Sequence, residues 1–174
     1  MNPLFDRVIS KQEAELGASL DYLRDIAGTS SSAFLKFGLF APLAQHRKAL
    51  SPEVWHLARL GATQVQDCGT CVQIVVNAAR ADGVAPGVLR TALSGGEPGG
   101  DALEPDRQLA LDYGRAVAQN GDDVQAAVEA ARARFGDDGL VELALAVATA
   151  QVFPVVKRGL GRATACALVE IELE

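Results

Sequence analysis

Cys68 and Cys71 stand three positions apart in the run Asp67-Cys68-Gly69-Thr70-Cys71. On a helix that spacing puts both side chains on one face, within reach of a sulfur–sulfur bond. At a helix N-terminus the unpaired N–H groups favour a thiolate and enlarge the reactive fraction near neutral pH. One thiolate then attacks a peroxide or a disulfide, and the other resolves the intermediate as an intramolecular disulfide. Asp67 works against this, because an adjoining carboxylate disfavours a second negative charge. Two other readings stand beside the redox pair. Zinc takes about four ligands, and here the further candidates are Cys166, His46, His56 and carboxylates, with no second close-spaced pair. Alternatively, both cysteines serve as small core residues.

His56 is the natural candidate for a base, since an unperturbed imidazole titrates at about 6.5; the competing reading is a buried histidine hydrogen-bonded between helices. Gln64 and Gln73 either orient a substrate or make ordinary interhelical polar contacts. His46, in the polar run Gln45 to Lys48, reads as solvated, and Cys166, in the small-residue run Ala163 to Ala167, as packed. Trp55 reads as filling a core or a subunit interface. No phosphate-cradling glycine loop, nucleophile elbow or paired-carboxylate motif stands out, and no cofactor is called for.

The elements that must position these residues are helical. Apolar residues recur at steps of three and four between turn signals at 28–32, 49–52, 82–86, 94–105, 120–123 and 136–139. The spacing predicts a first helix over 10–27 and a second from 31 to about 47, kinked or ended by Pro42. A third opens cleanly, with Ser51 as N-cap, Pro52 in the first position and Glu53 at the positive end, and runs to about 66. A fourth covers 68–81 and is closed by Asp82-Gly83. Further helices follow over 86–93, 105–119, 122–134 and 138–160, with Pro154 as a second possible kink. The glycine-rich stretch 94–103 reads as a surface loop, and the alternating tail 169–173 is too short to make a sheet alone. The fold class is therefore all-α, a single-domain multi-helix bundle over residues 1–174 with the cysteine pair at the N-terminus of a core helix.

Composition bounds the function. The 174 residues are 49% hydrophobic and carry a net charge of −6, which supplies a sizeable core and no concentrated basic face for nucleic acid. The most apolar stretch, 140–156, is interrupted by Glu142, Gln151 and Pro154, and reads as a core helix in preference to a membrane span. Lys157, Arg158 and Arg162 read as complements to a helix C-terminus. With three cysteines and no export signal, a reduced cytoplasmic setting is expected.

Two stretches, LSPEVWHLARLGATQVQDCGTCV over 50–72 and AARADGVAP over 78–86, resemble the carboxymuconolactone decarboxylase and AhpD-like alkylhydroperoxidase superfamily. The resemblance extends over about 35–160 through the order of the later helices. It implies an AhpD-like helical bundle that forms homo-oligomers and acts as a thiol-dependent hydroperoxide reductase, with a hydroperoxide substrate and a dithiol reductant as partners. It also implies Cys71 as the peroxide-attacking thiol and Cys68 as the resolving one. The family's proton relay does not carry over: its glutamate position, twelve residues before Cys68, is His56; its histidine position, four after Cys71, is Val75; and Thr70 precedes Cys71. His56 is then the remaining candidate base for Cys71. The alternative is a catalytically degenerate member retained as a small-molecule-binding or assembly module. Lactone decarboxylation has only the family name behind it.

Overall fold

The computed structural model describes residues 2–94 and 102–162, and every regular element among them is a helix. In chain order these are α1 (Pro3–Leu16), α2 (Asp21–Thr29), α3 (Ser31–Gly38), α4 (Ala41–Ala44), α5 (Pro52–Val65), α6 (Gly69–Ala81), α7 (Pro86–Ser94), α8 (Pro105–Gln119) and α9 (Val124–Gly159). The all-α expectation holds. Cys166, the tail 169–173 and most of the 94–103 linker lie outside the described residues.

The single helix expected over 10–27 is two. Gly17 takes a left-handed φ of 61° and its N–H closes α1 on the Glu13 carbonyl, a conformation glycine adopts without a Cβ penalty. The Glu13 carboxylate then turns to accept from the Leu20 backbone N–H at 2.7 Å and from the Arg24 guanidinium at 2.6 Å. Leu20 and Leu23 are buried together with Ile9, Tyr22 and Ala27. The regular apolar spacing therefore arose from a shared cluster reached across a bend. Likewise the helix expected from 31 to 47 breaks after α3, and Pro42 lies in the first turn of α4, where its missing N–H costs nothing. The helices expected over 122–134 and 138–160 are the two arms of α9, which breaks within the turn signal read at 136–139: Gly136 has a φ of 71° and a ψ of −177°, which are not helical.

A main apolar cluster is built from α5 to α9, with α5 touching α6, α7, α8 and α9. A smaller cluster from α1, α2 and α3 adjoins α6 and α9 through Ile74, Phe153 and Val156. Helix α9 is long and apolar enough to cross a membrane, yet half of that stretch is buried against the other helices, as in the core helix of a globular protein.

Helices α5 and α8 approach until backbone meets backbone. A Cβ placed on Gly61 would strike the Leu111 carbonyl, and one on Gly114 would strike the Ala58 carbonyl. Gly114→Ala is accordingly expected to push the two helices apart and lower stability by about 1–3 kcal/mol. Thermal unfolding followed by circular dichroism tests this; an unshifted midpoint would contradict so close an approach.

Candidate functional site

Helix α5 ends at Val65, and the chain must reverse before α6 can pack beside it. Asp67 performs the reversal with a φ of 49°, a left-handed conformation that aspartate tolerates better than most residues. Its place next to the cysteines thus has a backbone reason, beyond the electrostatic one read from the sequence. Cys68 is the N-cap of α6, and its carbonyl accepts from the backbone N–H groups of Cys71 at 2.8 Å and Val72 at 3.0 Å. That first turn brings the Cα atoms of Cys68 and Cys71 to 5.2 Å, and their sulfurs are bonded to each other. The two residues are 8% and 6% exposed. Their chain neighbours are less covered, Asp67 being exposed and Gly69 and Thr70 half-buried.

The turn is tied to the end of α9. The Gln66 side chain accepts from the Arg158 guanidinium at 2.8 Å and makes a 3.5 Å contact to Gln151. Arg158 also donates to the Gln66 carbonyl at 3.4 Å, which sets a cation beside the helix mouth. The two glutamines weighed as substrate-orienting groups make interhelical and intrahelical contacts. Gln64 donates to the Ala92 carbonyl and accepts from Arg115 at 2.9 Å, while Gln73 donates to Asn77 at 2.8 Å. Val75 is buried in the main apolar cluster.

His56 sits elsewhere. Its ring is 1% exposed, and Nε2 lies 2.9 Å from the Asp82 carboxylate at the far end of α6. Asp82 follows Cys71 by eleven residues, roughly 16 Å along the axis at ~1.5 Å per residue. Helices α5 and α6 therefore bring Cys68 and Cys71 together and hold the His56 imidazole at the opposite end, hydrogen-bonded to a different partner. Burial drives the His56 pKa down to about 4; the hydrogen bond to Asp82 resists this, and the nearby Arg59 and Arg47 charges add to it.

Because the folded imidazole refuses the proton that the unfolded chain accepts near 6.5, His56 contributes stability that declines as pH falls from about 6.5 towards 4. Imidazole carbon resonances followed by NMR are expected to show one of the two histidines neutral down to about pH 4. Two ordinary titration curves would refute the burial.

Around His56 is a group of polar side chains that the sequence did not single out. Arg47, read as part of a solvated run, reaches the Asp82 carboxylate at 3.4 Å. Arg59 and Arg47 stand 4.4 Å and 5.7 Å from the centre of the Trp55 ring, which meets the His56 ring edge-on at 4.8 Å. The sequence signal for Arg59 was present, since it follows Trp55 by four and His56 by three and so shares their face of α5. Asp82 had been read only as a helix terminator.

No family model matches this chain, and no curated protein or solved structure does.

Proposed function

We propose that the protein is a thiol-dependent hydroperoxide reductase of AhpD-like type, cycling between a Cys68–Cys71 dithiol and disulfide. The observation that carries this reading is the joining of the two sulfurs within the first turn of α6. In the reduced state a Cys71 thiolate displaces alkoxide from the hydroperoxide, leaving a sulfenic acid; the alkoxide takes a proton and departs as the alcohol. The Cys68 thiol condenses with the sulfenic acid, forming the S–S bond and releasing water. A dithiol reductant then gives two electrons and two protons by exchange, and leaves as its own disulfide.

With His56 engaged at Asp82 and Val75 apolar, thiolate formation relies on the N-terminus of α6, where Cys68 and Cys71 lie. A reducing cytoplasm is the compartment this cycle implies. An association of several chains is supported by exposed Leu35 on α3, Leu39 at its C-cap and Leu43 on α4, which are 59%, 76% and 42% exposed.

The second reading, a degenerate member that binds or assembles without turning over, is favoured by the same missing base and by the burial of both cysteines. Hydroperoxide consumption in the presence of excess dithiol separates the two. The wild-type protein is expected to turn over repeatedly and Cys71→Ser to match the uncatalysed rate. Equal rates for the two proteins would remove the peroxidatic assignment.

A further inference from the structure

Where the start of α5 meets the end of α6, Arg47, Trp55, His56, Arg59 and Asp82 gather into one polar cluster that the cysteine chemistry does not use. Its hydrogen bonding is unbalanced. Arg47 Nη1, Trp55 Nε1, His56 Nδ1 and Arg59 Nε are all buried without a hydrogen-bond partner among the described residues. Each such atom costs about 1–3 kcal/mol when left unpaired, and four at one place ask for a common partner.

Their chemistry defines that partner. Arg47 Nη1, Arg59 Nε and Trp55 Nε1 are N–H donors with nothing to donate to. His56 Nε2 faces the Asp82 carboxylate and so carries the proton, which leaves Nδ1 as an acceptor. Two guanidiniums face a single carboxylate across a neutral imidazole, so the cluster bears an excess positive charge. Burial brings Arg59 down to about 10, which keeps it charged at neutral pH. The cluster borders solvent at the side chains of Asp82 and Arg47, which are 41% and 26% exposed, while the four unpaired atoms themselves are covered, so an anion enters past the Arg47 side chain. Arg47 is also held in place, since the loop that follows it is pinned by three backbone hydrogen bonds to Glu142.

We propose that this cluster binds a small oxyanion that also carries a hydroxyl, either a 2-hydroxycarboxylate or hydrogen phosphate. The anionic oxygens accept from Arg47, Arg59 and the Trp55 indole, and the hydroxyl donates to His56 Nδ1. The site is independent of the cysteine pair and lies at the other end of α6.

Trp55 is the sole tryptophan of the chain, so its fluorescence reports on this site alone. Glycolate and inorganic phosphate, each titrated against chloride at matched ionic strength, are the probes; which of them responds identifies the source of the oxyanion. A saturable change is expected with at least one. Acetate, which lacks the hydroxyl, should bind more weakly than glycolate. Arg47→Gln, at a part-exposed position, should weaken binding about 10- to 100-fold while its far-ultraviolet circular dichroism is unchanged. Cys71→Ser should bind like wild type. No saturable change with either probe, or undiminished affinity in a folded Arg47→Gln protein, overturns the proposal.

Discussion

Cys68→Ser protein is expected to consume a single equivalent of hydroperoxide per chain and then stop, whereas Cys71→Ser consumes none. The asymmetry follows from the roles proposed for the pair. Removing the attacking thiol removes the covalent step and lowers the rate by about 10³-fold or more. Removing the resolving thiol leaves the first O–O cleavage intact but strands Cys71 as a sulfenic acid, which dimedone traps. Rapid-mixing measurements of peroxide loss with and without dithiol read both. A burst from Cys71→Ser and none from Cys68→Ser would reverse the roles, and silence from both together with an inactive wild type would favour the degenerate reading.

The second large effect is expected at Glu142, far from both sulfurs. Its carboxylate is 3% exposed and accepts from three consecutive backbone N–H groups, Lys48 at 2.7 Å, Ala49 at 2.8 Å and Leu50 at 3.0 Å. Desolvation pushes its pKa up, but the three backbone donors outweigh this and hold it below the usual 4.5. The group therefore stabilises the fold fully above the ordinary carboxylate range, and this contribution is lost as pH falls through the lower folded value. Glu142→Ala leaves the Lys48, Ala49 and Leu50 N–H groups without this acceptor and is expected to cost about 1–3 kcal/mol, with the midpoint falling about 2–4 °C per kcal/mol. Glu142→Gln keeps an acceptor oxygen and should cost less, while flattening the acid limb of the stability profile. Denaturant unfolding at neutral and acidic pH measures both variants. Parallel pH profiles for wild type and Glu142→Gln would show that this carboxylate is not the acid-sensitive anchor.

Much of the scaffold was legible because its signals are local. Ser51 accepts from the Val54 N–H, Pro52 opens α5, and Asn120 closes α8 in a left-handed conformation, each within a few residues of the feature that announced it. The cysteine pair was legible for the same reason, as its geometry needs only one turn of helix. The reading failed where a bend preserved the apolar spacing, as at Gly17, since Leu16 and Leu20 serve one cluster from two elements. For His56 the sequence left two readings open, a base for Cys71 and a buried hydrogen-bonded histidine, and could not choose between them. Nothing near that residue announces that its partner lies twenty-six positions later, in a turn that the packing of α5 on α6 brings alongside. Arg47 and Asp82 were hidden likewise, because turn residues carry no periodicity to betray which side of the bundle they face.

The backbone-to-backbone seam between α5 and α8 has a mechanical consequence. Helices separated by long side chains slide past one another by exchanging rotamers, but with carbonyls facing Gly61 and Gly114 there is no cushion to deform. The two helices must move as one rigid plate. Motion that opens the cysteine turn is then left to the elements outside this plate, among them the Gln66 turn and the end of α9 that Arg158 fastens to it.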